Sequence, residues 1–235
     1  MNPGTESRPQ VTLILPVYNE EGSIRDVILE SQKVLGEKDE IIVVDDGSTD
    51  GTAREVKTTP ARLVSHDRNR GKGVALRTGI SQARGDLIVV MDADGQDDPN
   101  EILKLLDAQR KNDADFVNGS RFLGTLSRGA ISRVNRLGTY GVDFILNKIL
   151  GIKITDSQAG FRCFKADRIR ELDLRSDWYD VETETVIKAH KKRFKIVEIP
   201  VSRERREHGR SGHKKIKFAL RFFGLLYRVY VKKES

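Results

Sequence analysis

The sequence predicts an α/β protein: a mostly parallel central sheet flanked by helices, ending in an amphipathic C-terminal helix. Three observations predict it. Short β-rich apolar runs alternate with helical patterns, as in parallel βαβ units. Acidic and small polar residues cluster where those runs end, at Tyr18-Asn19-Glu20, Asp45-Asp46-Gly47-Ser48 and Asp92-Ala93-Asp94. The chain has 235 residues, 37% hydrophobic and 33% charged, with 20 Gly and 6 Pro, which suits one large globular domain and excludes wholesale disorder.

In chain order, the apolar run 11–17 reads as a strand and 20–35 as an amphipathic helix. A second strand, 41–44, ends in the Asp-Asp-Gly-Ser cluster, and a short helix follows near 51–56. Residues 62–65 form a third strand and 73–83 a helix. The fourth strand, 87–91, ends in Asp-Ala-Asp, and Pro99 opens the next helix, a position where its missing N–H costs nothing. A fifth strand starts at 115–117. Beyond residue 120 the pattern loosens: 131–150 and 179–190 read as helices, 194–200 as a strand, 202–215 as a basic polar loop and 214–232 as a closing helix. The implied organisation is a flexible tail at 1–10, a catalytic body at 11–213 and a basic amphipathic helix at 214–235. In a doubly wound sheet, ligands bind outside the carboxyl ends of the strands, where the three clusters lie.

The net charge of +7 is unevenly placed. Residues 188–235 carry 16 Lys/Arg against 4 Asp/Glu, whereas the rest of the chain is net acidic. A basic C-terminal quarter points to a polyanionic partner or to a solvated basic helix. No DNA- or RNA-reading motif or aromatic stacking platform accompanies it, so nucleic acid is not expected. The single cysteine, Cys163, excludes an internal disulfide and a Cys-rich zinc site, and reads as a buried small apolar residue. The polar N-terminus lacks the apolar core of a secretory signal, and no run of about 18 apolar residues predicts a bilayer span.

Asp92-Ala93-Asp94 carries the sharpest chemistry. Two carboxylates at i and i+2 after a buried strand can reach one ligand if the chain turns, and Gly95 permits the turn. With the amide oxygen of Gln96 they form an oxygen set that suits Mg²⁺ or Mn²⁺, ions that bridge carboxylates and diphosphates. Asp46 could accept hydrogen bonds from a base or ribose, while Thr49 and Asp50 could cap the next helix. Asn69-Arg70-Gly71-Lys72-Gly73 has neither P-loop nor G-x-G-x-x-G spacing. Its glycines permit close backbone approach before a helix N-terminus, and Lys72 could meet a phosphate or ribose.

Taken in order, Pro16-Val17-Tyr18-Asn19-Glu20-Glu21, Val44–Thr52, Asn69–Gly73 with Gly79, and Met91–Gln96 resemble the family 2 glycosyltransferases of GT-A (Rossmann-like) fold. Within them the chain is similar to the polyprenyl-phosphate (dolichyl-phosphate) glycosyltransferases, a group that includes the dolichyl-phosphate mannose synthases. The resemblance covers about residues 11–215. It implies a donor part at 11–119 and an acceptor part at 120–213. Pro16, Tyr18, Glu20 and Asp46 match nucleotide-contacting positions. Asp92 matches the first donor-site aspartate, Ala93 belongs with it to the donor-binding set, and Asp94 and Gln96 match the metal-contacting pair. Arg121 matches an acceptor-holding arginine, and Ser132-Arg133 with Asn135 an acceptor-phosphate motif. Asp156, in Asp-Ser-Gln-Ala-Gly-Phe, matches an aspartate near the reacting sugar, and Arg206 opens an R-x-x-G-x-S segment that closes on the donor diphosphate. Gly212 stands where the family usually has lysine, and the Asp156 motif leans toward glucose-transferring relatives.

The resemblance implies an inverting, metal-dependent hexosyltransferase. Its donor would be of GDP-mannose or UDP-glucose type and its acceptor a polyprenyl or dolichyl phosphate. A lipid monophosphate with a second pKa near ~6 is already largely dianionic at neutral pH and needs no strong base. Arg121 and Arg133 would offset repulsion between the two anions, and Asp156 would stabilise the sugar or orient a hydroxyl. The competing readings are transfer to a soluble hydroxyl with Asp156 as general base, and nucleotide binding without catalysis. The expected location is cytoplasmic, on the cytoplasmic face of a membrane. The tail helix, with Lys214, Lys217, Arg221, Arg228 and Lys232 on one stripe, could lie in the membrane interface, dock on a membrane-anchoring subunit, or pack on the protein's own core.

Overall fold

The computed structural model describes residues 10–206 and 215–231; the side chains of Arg133, Val134, 215–220 and 230–231 lie outside this description. The strands are β1 (Val11–Val17), β2 (Glu40–Asp45), β3 (Arg62–Ser65), β4 (Leu87–Val90), β5 (Phe116–Ser120), β6 (Arg162–Lys165) and β7 (Ile196–Pro200). They form one seven-stranded sheet in the order β3-β2-β1-β4-β6-β5-β7. All pairings are parallel except those of β6, which runs antiparallel to β4 and β5. The helices are α1 (Ile24–Val34), α2 (Thr52–Lys57), α3 (Lys72–Gln82), α4 (Ile102–Asn112), α5 (Arg133–Lys148), α6 (Ala166–Glu171), α7 (Asp180–Lys191) and α8 (Lys215–Leu226), the last continuing as a wider π-type turn through Tyr227–Val231.

Strands covered on both faces read as continuous apolar runs, which is why β1, β2 and β4 are legible. Alternate residues feed two cores. Ile14, Ile42, Val44, Ile88, Val90, Phe116 and Phe164 face one core with residues of α3, α5, α7 and α8. Leu13, Leu15, Val43, Val89, Val117 and Cys163 face the other with residues of α1 and α4. Phe116 and Phe164 stack at 4.5 Å between ring centroids. Cys163 is fully buried, and burial pushes its thiol up to about 12.

Three elements, α1, β6 and α6, depart from the sequence pattern. Helix α1 begins at Ile24 rather than at residue 20, because residues 19–21 first brace the loop that follows β2. Asn19 adopts φ 55, its N–H donates to Ser48 Oγ (2.9 Å), and its Oδ1 accepts from Thr49 N (2.8 Å). Strand β6 and helix α6 had no apolar run to announce them. Arg162 is nonetheless buried in β6, donating to Asn118 Oδ1 and to the carbonyls of Glu182 and Ser157.

Helix α8 keeps to the sequence pattern. Phe222, Leu225 and Val229 are buried in the core beside α7, which is one of the three placements open to that helix. The side chains of Lys214, Lys217 and Lys232 lie outside the described residues. Arg221 stacks over Trp178 at 5.0 Å, and Arg228 reaches Ser176 Oγ and Asp180, so both turn inward. Among the described residues no helix is long and apolar enough to cross a membrane.

Candidate active site

Topology brings six segments to one edge of the sheet. Chain leaves β1, β2, β4, β5 and β7 there, since these strands run the same way. Because β6 is antiparallel, with Arg162 opposite Val90 and Asn118, the residues that enter β6 arrive at the same edge. Residues 18–21, 45–52, 91–98, 121–123, 156–161 and 201–206 therefore meet, although they span most of the sequence.

The nucleotide-side motifs are cross-braced. Pro16 is buried in β1 opposite Val44, and Tyr18 projects half-exposed at the strand end. Glu20 N donates to Thr52 Oγ1, and Glu21 accepts from Gly51 N. Glu20 Oε1 pairs with Arg206, while its Oε2 is buried with no partner among the described residues. Asp46 is buried and accepts from the backbone N–H of Arg70 (3.0 Å) and Gly71 (2.7 Å), with His66 Nδ1 at 2.7 Å. Its carboxylate thus holds the Asn69–Gly73 loop in place. Gly71, at φ 103, and Gly73 let that loop lie against the Ser176–Asp177 backbone; a Cβ on Gly73 would sit 2.0 Å from Ser176 O.

At the centre, Lys72 opens α3 and points between two carboxylates, 2.5 Å from Asp92 Oδ1 and 2.5 Å from Glu182 Oε1. Burial disfavours its ammonium, but the two carboxylates overcome this and raise its pKa. Burial likewise opposes ionisation of Asp92, yet Lys72 and Arg203 hold that carboxyl far below the usual range. Arg203, just beyond β7, lies among the Asp-Ala-Asp residues. Its NH1 donates to Asp97 Oδ1 (2.7 Å), and its NH2 stands 3.3 Å from Asp92 Oδ2, 3.3 Å from Asp94 Oδ2 and 3.2 Å from Gln96 Oε1. Gln96 is oriented by donating from Nε2 to Glu204 O and Ala130 O. Ala93 is buried, and its carbonyl accepts from Ser23 Oγ. Burial and the neighbouring carboxylates Asp92 and Asp97 push Asp94 up to about 6 despite Arg203.

Asp156 is fully buried and clamped by Arg121, whose Nε and NH2 donate to its two oxygens at 2.7 and 2.8 Å while Arg121 N donates at 3.0 Å. Ser132 caps α5 by accepting from Asn135 N (3.2 Å). The side chain of Arg133 and the segment 207–211 lie outside the described residues.

The sequence matches the glycosyl transferase family 2 pattern over residues 12–172. The chain belongs to glycosyltransferase family 2. One curated relative of this glycosyltransferase is the UDP-N-acetylglucosamine–dolichyl-phosphate N-acetylglucosaminyltransferase of Methanococcus voltae, 31% identical over 213 residues, 81% of this chain and 84% of that protein. Another is the undecaprenyl-phosphate mannosyltransferase of Micrococcus luteus, 31% identical over 215 residues, 86% of each chain. Among solved structures, glucosyl-3-phosphoglycerate synthase of Mycobacterium tuberculosis with Mn²⁺ and UDP-glucose superposes with a TM-score of 0.72. It is 24% identical, covering 94% of this chain and 78% of that one, so it shows the shared GT-A-like fold.

The glycosyltransferase's own residues fit a divalent cation. Asp92, Asp94 and Gln96 turn oxygens toward one point, where the Arg203 NH2 group stands. Asp92, Asp94 and Asp97 crowd around the single guanidinium of Arg203, with Lys72 shared between Asp92 and Glu182 and Arg206 3.8 Å from Asp94, so carboxylates outnumber the cations in direct contact with them. Sequence reasoning found the Asp-Ala-Asp motif but missed Asp97, Glu182 and Arg203. Asp97 was visible as a third carboxylate in Asp-Ala-Asp-Gly-Gln-Asp. Glu182, 110 residues from Lys72, and Arg203, 111 residues from Asp92, carry no local signal.

Proposed function

We propose that the protein transfers a hexose from a nucleoside-diphosphate sugar of GDP-mannose or UDP-glucose type to a polyprenyl or dolichyl phosphate, with inversion, at the cytoplasmic face of a membrane. This reading assigns donor binding to the part 11–119 and acceptor binding to the part 120–213. The observation that carries the acceptor is an apolar path leaving Arg121. Phe122 packs on Tyr140 at 4.9 Å, and α5 continues outward with Leu137 and Phe144 exposed, 72% and 61% respectively. The path runs to an open cleft of about 520 Å³ bordered by Phe144, Lys148 and Lys153. A cation at the inner end and uncovered apolar side chains along one helix face suit a phosphate on a hydrocarbon chain.

On the donor side, Asp94 and Gln96 would hold Mg²⁺ or Mn²⁺, which neutralises charge on the departing diphosphate. Arg206, beside Asp94 and Glu20, adds a second cation there. Lys72 fixes Asp92 so that it can orient the sugar. Arg121 draws the acceptor phosphate into line, already dianionic, so no base is needed. Both Asp156 oxygens are engaged by Arg121, which disfavours that carboxylate as a general base for a hydroxyl acceptor. The relatives that act on dolichyl and undecaprenyl phosphate support the same acceptor class.

The test is radiolabelled UDP-glucose and GDP-mannose, each with Mn²⁺ and with or without dolichyl phosphate. Label is expected in the organic phase only when the lipid phosphate is present, as a β-linked product from an α-linked donor. Label found only in water-soluble glycosides would overturn the acceptor, and retained configuration would overturn the single displacement.

A further inference from the structure

The guanidinium of Arg203 is held differently from the cations of Lys72, Arg121 and Arg206. It is almost wholly buried, with one nitrogen anchored on Asp97 and the other at the convergence of Asp92, Asp94 and Gln96. The anchor is close, at 2.7 Å, whereas the three contacts at the other nitrogen are 3.2–3.3 Å, long for charge-assisted hydrogen bonds. Two of those three oxygens are the pair that would bind the ion. A divalent cation prefers oxygen donors at roughly 2.0–2.2 Å and cannot share that point with a guanidinium nitrogen.

We propose that Arg203 is a built-in counter-cation, occupying the convergence point while the ion is absent and giving it up when Mg²⁺ or Mn²⁺ binds. Asp97 is then its retained anchor, and the freed NH2 edge is available to the donor diphosphate. The arrangement keeps three neighbouring carboxylates from repelling one another in the unloaded enzyme, and it sets the affinity for the ion by competition. Arg203 is a positioning residue here, acting on the carboxylates rather than on the sugar. The inference rests on the reading that a divalent cation works at Asp94 and Gln96.

Mn²⁺ binding to the full chain, followed by the EPR signal of free Mn²⁺ without donor and then with UDP, tests it. Arg203→Lys keeps the charge, but its ammonium cannot hold Asp97 and the convergence point together. If competition operates, Arg203→Lys binds Mn²⁺ in the absence of UDP about tenfold more tightly than the wild type. Arg203→Met, where it folds, binds more tightly still. Thermal unfolding gives an independent readout: saturating Mn²⁺ should raise the midpoint of Arg203→Lys more than that of the wild type. Wild-type affinity in Arg203→Lys would overturn the proposal and leave the metal reading standing. No Mn²⁺ binding by any variant, with or without UDP, would overturn both.

Discussion

The two walls of the cleft are built on opposite principles. The wall around β1, β2, β4 and α3, completed by Glu182 of α7 and Arg203 beyond β7, is charged, buried and paired within itself: Lys72 with Asp92 and Glu182, Arg203 with three aspartates, Asp46 with a loop backbone. The wall from α5 turns Leu137, Tyr140 and Phe144 outward. Burying charges is costly unless each finds a partner, so such a wall forms only where a ligand's charge must be met by groups already in place. An exposed apolar helix face carries the reverse cost, and it persists where something apolar covers it. Arg121 and Asp156 stand at the seam between the walls, and the variants below attack the contrast from there outward.

The largest effect is expected at that seam. Arg121→Met leaves the Asp156 carboxylate fully buried without its guanidinium, and should lower unfolding free energy by about 3–5 kcal/mol. Adding Asp156→Asn should restore much of the loss, because a neutral amide tolerates burial. Chemical denaturation of the single and double variants measures both. A loss in Arg121→Met below about 1 kcal/mol, the scale of a surface pair, would mean that Asp156 finds water or another cation.

Next comes Asp94→Asn, on the charged wall. It keeps the side-chain shape but removes the charge that an ion would need, so kcat/KM should fall about 10²–10³-fold. The thermal midpoint should hold or rise, since burial already pushes the Asp94 carboxyl up to about 6. Undiminished turnover would show that the diphosphate is neutralised elsewhere.

The walls also differ in how far the sequence announces them. The charged wall is written as contiguous motifs because each sits on the turn that ends one strand, so Tyr18-Asn19-Glu20, Asp45–Ser48 and Asp92–Gln96 are local objects. Their partners are not. Arg203 reads as one basic residue among many in a basic stretch, and only the parallel pairing of β7 with β5 carries it to Asp92. Asp46 illustrates the converse: a residue legible as a ligand contact, whose oxygens accept from the loop that shapes the site. Strand β6 was hidden because four residues with charges at both ends show no period. The amphipathicity of α8 was readable, but the surface it meets depends on α7, and periodicity says nothing about the identity of a partner.

A pH experiment probes the buried side of the apolar wall. Asp143 projects inward from α5, accepts from Ser157 N (3.1 Å), and has its Oδ2 buried without a partner among the described residues. Burial pushes its carboxyl up to about 6. A carboxyl raised on folding favours the folded state below its unfolded pKa, and this advantage is lost as pH rises through about 6. Relative to Asp143→Asn, which does not titrate, the wild type should therefore lose about 2–3 kcal/mol of stability between about pH 4 and 7.5. Urea unfolding of both proteins at the two pH values gives the difference directly, and a constant difference would place Asp143 in water.

The smallest effect tests the exposed side of the same helix. Phe144 is 61% exposed, so Phe144→Ser removes little that the folded protein buries, and stability should change by less than about 0.5 kcal/mol. If a hydrocarbon chain covers that ring during turnover, the lost burial of about 1.5 kcal/mol or more appears instead as a roughly tenfold rise in the KM for dolichyl phosphate, with the KM for donor unmoved. The separation between the two KM values is the informative quantity, because the charged wall predicts the opposite split: Glu20→Gln, which weakens the hold on Arg206, should act on the donor KM and spare the acceptor. Phe144→Ser with both KM values unchanged would detach the acceptor from α5. A marked loss of stability would mean that this face is covered by the protein itself, and the two walls would then differ in charge alone.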